Sequence, residues 1–472
     1  LMKELARRGH NVVVVSPFPR DEPPQNYTSI DVRPFKQILV NALTFDMVKP
    51  SILDVINFMM FEIETNGKLL PSLVVQNLLS KNTTFGVVFI EMFNEDVCLL
   101  LAKKFRAPVI GFASSYPTPW TLTPFAAPQN PSYIPNFFSG LNSRMSFPDR
   151  LWNTFLLVFY NVFYKHALTP RSLEVFERHL GPSEWTVEDA ARSISLYLVN
   201  SHFTMHGARP YPPQVVEVGG INLQPAQPLP QDLDRWMNES ADGVVYFSFG
   251  SMLRGATLPE DKVRAFIDVF RTLPQRVLWK WEDDSVAGLP QNVKLMKWLP
   301  QRDVLAHPKV KVFISHGGLL GTTEAVVSGV PILGIPMYGD QPNNVAALVE
   351  NKVAIHVDYN NISVASLSYA LNTLINDKSY AENAKKLSER FLDRPQSPLD
   401  TAVYWTEYVI RHGGAPHLQS AAVHLTWYQY YLLDVIAVCL AALAATVATV
   451  VYIIKTSLRL MCAVKTTKLK SN

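Results

Sequence analysis

The densest cluster of chemically capable side chains runs from Trp298 to Gln341, WLPQRDVLAHPKVKVFISHGGLLGTTEAVVSGVPILGIPMYGDQ. The apolar stretch 310–315 reads as a buried strand that ends in His316-Gly317-Gly318, where a helical pattern begins at once. Paired glycines let backbone N–H groups approach a ligand closely, and a helix N-terminus favours an anion. His316 adds a side-chain donor for a phosphate oxygen. The run lacks the lysine of a Walker loop and the GxGxxG of dinucleotide folds, so it reads as a different kind of diphosphate cradle. Glu324, two turns into the helix, is able to accept from vicinal ribose hydroxyls. Trp298 offers a flat face for a base, and Gln301 an amide for its edge. Asp340 and Gln341 follow the next strand and can bond several hydroxyls, as a sugar requires. Base, ribose, diphosphate and sugar together describe a nucleotide sugar. Taken singly, each residue has a plainer reading: a core indole, a strand-end histidine, a solvated helix glutamate, an aspartate capping a helix. Their order and spacing favour the ligand.

These residues need a frame of strands and helices. Short apolar strands at 12–15, expected to be buried, and at 87–90, 109–112 and 196–199 alternate with helices such as 97–104 and 151–166. That βαβ rhythm predicts a doubly wound parallel sheet. Residues 116–148, rich in Pro, Ser and aromatics, read as a long ordered loop region. Six prolines between 210 and 231 predict a linker over 210–240. A second series follows, with strands at 244–249, 277–281, 293–297, 310–315, 332–335 and 354–357. Helices are expected at 319–328, 344–351, 364–375 and 380–391, and a Thr257-x-x-Glu260 capping box is expected to open another. The expected fold is α/β: two Rossmann-like domains, 1–209 and 241–392, facing across a cleft. A helical crossover over 393–434 would lead to a membrane helix.

That helix is predicted at 435–454, twenty residues without charge. Trp427, Tyr428, Tyr430 and Tyr431 precede it as an aromatic belt, and the basic tail 455–472 follows. The whole chain of 472 residues has a net charge of +3. The tail holds five basic groups and no acid, leaving 38 basic against 40 acidic residues upstream. A near-neutral body argues against nucleic acid as a partner. Three cysteines without metal-site spacing exclude a disulfide scaffold. The positive-inside rule puts the tail in the cytoplasm and the body on the other side, as a single-pass type I protein. Sequons at Asn26, Asn82, Asn238 and Asn361 agree with that side and predict a glycoprotein. Lys468 and Lys470 resemble a dilysine signal for the endoplasmic reticulum. The opening LMKELARRGH reads as a helix that should itself follow a strand, so a chain truncated before Leu1, without its signal peptide and first strand, is expected.

The run Phe313-Ile-Ser-His316-Gly-Gly318, Gly321, Glu324, Pro331 and Asp340-Gln341, preceded by Trp298-Leu-Pro-Gln301, resembles the signature of UDP-glycosyltransferases, which include the UDP-glucuronosyltransferases. Phe249-Gly250-Ser251, Trp427-Tyr-Gln-Tyr, the span and the lysine tail extend the likeness over nearly the whole chain. It looks most like the animal membrane-bound branch, and HGGLLGTTEA and Glu91-x-Phe93 look like insect members. The resemblance implies a GT-B fold and an inverting transfer of sugar to a small lipophilic hydroxyl acceptor, in detoxification, with no cofactor or metal. Glucose is the favoured sugar and glucuronate the rival, for which Arg254 is a candidate partner. By position, Trp298 and Gln301 would meet uracil, Glu324 the ribose, Ser251, His316, Gly318 and Gly321 the diphosphate, and Asp340 and Gln341 the sugar. Leu320 stands where many relatives have Asn. The family's general base is a histidine after the first strand, a region absent from this chain, and His10 is not its substitute. Its acidic partner falls on Glu91, with Asp96 the competitor. The acceptor region is expected over 112–147 and neighbouring helices. The sequence leaves oligomeric state open, a homo-oligomer included. Two rivals stand: a non-catalytic, donor-binding membrane protein, because the base is missing, and a Rossmann oxidoreductase, which lacks its glycine fingerprint.

Overall fold

The computed structural model describes residues 1–35, 40–47, 51–80 and 84–469, with side chains of the last helix described to Met461. The chain divides into two compact units, Leu1–Gln419 and Ser420–Asn472.

In the first unit the described strands are β1 Val12–Ser16, β2 Tyr27–Asp31, β3 Val88–Glu91, β4 Val109–Ala113, β5 Ile194–Val199, β6 Val215–Glu217, β7 Val244–Ser248, β8 Arg276–Lys280, β9 Val293–Met296, β10 Val310–Ser315, β11 Ile332–Gly334 and β12 Ala354–His356. They form three sheets, β1-β2, β3-β4-β5-β6 and β12-β11-β10-β7-β8-β9. Every pair in them is parallel. In the six-stranded sheet the chain runs outward from β7 through β8 to β9, returns to β10 on the other side of β7, and runs outward again. The order therefore reverses between β7 and β10, and open parallel sheets bind ligands at such a switch point, beyond the strands' C-terminal ends.

Beneath that point lies an aromatic core. Phe247 packs among Phe249, Phe266 and Trp279, with ring centroids 4.7–6.2 Å apart. Burying each such ring contributes ~2–3 kcal/mol, so the ends of β7 and β8 are held firmly under the site.

Several expectations are corrected. Residues 12–15 form a strand, but pairing with β2 leaves Val13 and Val15 39% exposed, so it is not a buried one. The Thr257–Glu260 capping box does not form. The helix Glu260–Thr272 follows Pro259, and Thr257 Oγ1 donates to the Arg254 carbonyl instead. The proline-rich stretch expected as linker contains β6, which completes the edge of the first-domain sheet, and the helix Gln231–Asn238. The crossover helix Pro398–Arg411 returns to that sheet, where Ala402 and Val409 pack with Ile110, Leu196 and Leu198. Arg394 fixes the crossing by donating to the Gly219 carbonyl at 2.7 Å. His10 lies 3.4 Å from Glu407 on the same helix.

Residues 41–45 of the N-terminal half join the second domain. Asn41 N–H donates to the Ser251 carbonyl (2.7 Å), and Arg254 N–H to the Leu43 carbonyl (2.8 Å). Phe45 enters the second-domain core and stacks on Tyr359.

In the second unit, the short helix Trp427–Tyr430, opened by a Thr426–Gln429 capping box, precedes a helix over Leu433–Leu469. Its stretch Leu433–Met461 is long and apolar enough to cross a membrane, with a mean hydropathy of 2.4. The helix runs on past the expected span into the basic tail. Asn26, Asn238 and Asn361 are exposed, while Asn82, Lys470 and the Lys468 side chain lie outside the described residues.

Candidate active site

The cradle expected to hold a diphosphate is built by two loops of matching construction. Ser248 ends β7 and Ser315 ends β10, paired in register. Each hydroxyl accepts from the N–H two residues on, Gly250 at 3.2 Å and Gly317 at 3.1 Å. Both glycines take positive φ, +81° and +82°, which L side chains rarely adopt. Phe249 turns down into the core, whereas His316 lies between Gly250 and Gly318. A β-carbon at Gly250 would lie 2.7 Å from the imidazole Cε1, and one at Gly318 2.5 Å from Nε2. The two glycines thus form a slot for the ring.

Burial, and then the Lys280 charge, lower the His316 pKa to about 4, so the ring is neutral at physiological pH. Its Nδ1 is buried and has no partner among the described residues. Gly318 also starts the helix Leu319–Ser328, with no side-chain cap among the described residues, so the first-turn N–H groups remain available. Leu320 projects there half exposed.

Beside the cradle, Gln301 is held at both ends of its amide. Tyr246 donates to Oε1 at 3.1 Å, and Nε2 donates to Glu324 at 2.7 Å. A β-carbon at Gly321 would come within 2.9 Å of that Nε2, so glycine there makes room for the pair. Partial burial raises the Glu324 pKa, with Gln301 pulling the other way. Trp298 is 60% exposed, with Lys280 Nζ 5.8 Å from its ring centroid.

Beyond β11, burial raises Asp340 to a pKa of about 6, while Asn344 donates to its carboxylate at 2.8 Å. Asp340 precedes the helix Gln341–Glu350, but no side-chain cap bond forms among the described residues. Gln341 is buried, and its Oε1 accepts from the N–H groups of Met337 (3.0 Å) and Tyr338 (3.2 Å), which fixes the loop. Ser251 is exposed at the β7 loop. Arg254 is already paired with Asp283 at 2.8 Å.

Across the cleft, Glu91 ends β3 exposed, accepting from the Ser114 hydroxyl at 2.8 Å. Asp96 is buried at the start of the helix Asp96–Lys103, against Tyr164 and Thr169, and desolvation raises its pKa to about 7. The two candidates therefore occupy different settings, one on the open end of the sheet and one in the first-domain core. In the expected acceptor region Tyr116, Trp120 and Phe137 are buried, with Tyr116 packed on Phe137 and both Phe137 and Trp120 packed on Phe93. A cavity of about 30 Å³ remains beside them, lined by Pro119, Asn136 and Tyr211 among others.

Three participants were not singled out from sequence: Tyr246, Lys280 and Asn344. Lys280 ends β8 nearly buried, ion-paired with Glu282. Asn344 donates to both Asp340 and the Gly317 carbonyl, and its Oδ1 lies 3.2 Å from His206 Nε2 of the first domain. Its spacing of four from Asp340, the residue that precedes its helix, was the available signal.

Solved structures share this architecture. CalG4, the calicheamicin glycosyltransferase, aligns with a TM-score of 0.58 at 18% identity, over 87% of this chain and 93% of its own. A UDP-glucosyltransferase from Polygonum tinctorium aligns with a TM-score of 0.54 at 18% identity, over 82% and 87%. Two parallel-sheet domains with the cradle at the switch point make this a GT-B glycosyltransferase fold. Relatives then narrow the class. UDP-glycosyltransferase UGT5 of Dactylopius coccus is 42% identical over 98% of this chain and 89% of its own length. UDP-glucuronosyltransferase 2B10 of Homo sapiens is 34% identical over 96% and 88%. The profile of the family described as UDP-glucoronosyl and UDP-glucosyl transferase matches residues 24–470, and the chain belongs to that family. It is a glycosyltransferase enzyme that uses a UDP-sugar donor.

Proposed function

We propose that the enzyme moves glucose, with inversion, from UDP-glucose to the hydroxyl of a small lipophilic acceptor, without a metal or other cofactor. The observation that carries this reading is the convergence of Trp298, the Gln301–Glu324 pair, the His316 slot and Asp340 at the strand ends of one sheet. Uracil stacks on Trp298 beside Gln301, and the ribose hydroxyls donate to Glu324. The diphosphate meets Ser251, the neutral His316 and the backbone of Gly318 to Gly321. The sugar hydroxyls meet Asp340 and Gln341. Glucose is preferred over glucuronate because Arg254 already pairs with Asp283, so a sugar carboxylate would have to compete for it. A Dactylopius coccus relative named UDP-glucosyltransferase 2, 40% identical, supports the same choice.

In the first domain Glu91 is the acid we assign to orient the family's histidine base, being exposed at the end of β3 where Asp96 is enclosed. The apolar helix anchors the enzyme in the membrane of the endoplasmic reticulum, with the body lumenal and the basic tail cytosolic. Turnover by the full-length protein with UDP-glucose and UDP-glucuronate against a panel of phenols tests the reading. Glucosides should form, His316→Ala should abolish them, and Glu91→Gln should slow them far more than Asp96→Asn. Full turnover by His316→Ala would refute the donor assignment.

A further inference from the structure

A cavity of about 720 Å³ opens at the N-terminal ends of β4 and β5, the end of the first-domain sheet opposite Glu91. That volume is within the ordinary range for small-molecule sites, and the length of β4 sets it roughly 15 Å from the cleft end of the sheet. Lys103, Lys104, Arg106 and Arg192 line it, against the single acid Glu184. None of the four cations forms an ion pair with a carboxylate among the described residues. Basic side chains elsewhere in this domain do pair, as in the Arg171–Glu64 and Arg178–Glu174 contacts.

Lys103 is also held in place. Its ammonium donates to the Ser193 hydroxyl at 3.0 Å and lies 4.3 Å from the Trp185 ring centroid. Partial burial lowers its pKa. A charge fixed in a half-desolvated concavity without a counter-ion raises the free energy of the empty site, and an anionic ligand offsets that cost. Trp185, 38% exposed at the rim, presents a flat apolar surface next to the charge.

We propose that this cavity is a second ligand site, separate from the donor cleft, for a phosphate-bearing molecule. Its phosphate sits among Lys103, Lys104 and Arg192, and its planar or apolar remainder lies against Trp185. Two sources share that chemistry: a free organic phosphate, and the headgroup of an anionic phospholipid. Gln419 lines the cavity and is the last residue of the first unit.

The test uses the whole chain in detergent with the donor cleft saturated by UDP. 1-Naphthyl phosphate is titrated calorimetrically into the wild type and into the Lys103→Glu/Arg192→Glu double variant. The wild type should show one saturable site, weakened at least about tenfold in the variant, the loss of one charge-assisted hydrogen bond or more. Equal UDP affinity in both proteins shows that the variant is folded. A second arm places the protein in phosphatidylcholine nanodiscs with or without phosphatidylinositol 4-phosphate. Amide exchange slowed around 103–106 and 184–195 by the phosphoinositide assigns the lipid source. Slowing by naphthyl phosphate alone assigns the free ligand. Absence of saturable binding and of protection with either probe, or binding indifferent to the double variant, overturns the proposal.

Discussion

Gly318→Ala isolates the contact on which the proposed diphosphate cradle depends. Gly318 has φ −60° and ψ 137°, which alanine adopts without strain, so any effect is steric. The new methyl would lie 2.5 Å from His316 Nε2 and 2.9 Å from Cε1. The ring has no retreat, because Gly250 closes the other side of the slot. Overpacking of this kind costs ~1–3 kcal/mol. It moves the imidazole away from the place where it would meet a phosphate. A hydrogen bond to a charged partner is worth ~1.5–3 kcal/mol, so UDP affinity should fall roughly 10- to 150-fold. His316→Ala should cost about the same by deleting the donor outright. The double variant should be no worse than either single one, since the alanine then meets no ring. Calorimetric titration of UDP into the four proteins closes the cycle, with an expected coupling of ~1.5–3 kcal/mol. Losses that simply add would show that ring and glycine act independently, and the slot would lose its meaning. Gly250→Ala, at φ +81°, should carry the same binding defect plus ~1–2 kcal/mol of backbone strain, visible as a lower melting temperature.

Glu324→Gln should weaken UDP about tenfold and leave 2′,3′-dideoxy-UDP unaffected, as measured by competition binding; equal losses for both would remove Glu324 from the ribose. Asp340 has its folded pKa raised to about 6, so the proposed contact of its carboxylate with sugar hydroxyls forms only above that pH. UDP-glucose affinity should therefore rise between pH 5 and 7 in the wild type and stay flat in Asp340→Asn, and parallel profiles would contradict the sugar contact. Asp96 is raised to about 7, so its contribution to stability is fully present below pH ~4 and is lost as pH rises through 7. Asp96→Asn should be more stable than the wild type at pH 8, by up to about 4 kcal/mol, with the gap closing toward pH 4 in thermal melts. A variant less stable at every pH would show that the carboxylate is needed where it lies.

Much of the second domain was legible because its elements carry local signals. The strand at 310–315 and the helix at 319–328 appear at their expected bounds, since a continuous apolar run and a Gly-Gly break punctuate them. The Thr257–Glu260 box failed because Pro259 occupies the position before the helix and Thr257 bonds backward to Arg254. β6 was hidden among prolines, because a three-residue edge strand carries too short a pattern to read.

For the site, residue type and order already specified the kinds of group a nucleotide sugar requires, because glycine pairs, an aromatic and carboxylates carry their chemistry wherever they stand. Their working states came from packing between distant segments. Register between β7 and β10 places Gly250 against His316, 66 positions apart, and that slot together with Lys280 makes the histidine neutral. Burial separates the two acid candidates, leaving Glu91 exposed at a strand end and Asp96 enclosed against Tyr164 and Thr169. Desolvation and contact geometry are properties of what surrounds a side chain, and long-range strand pairing assembles those surroundings.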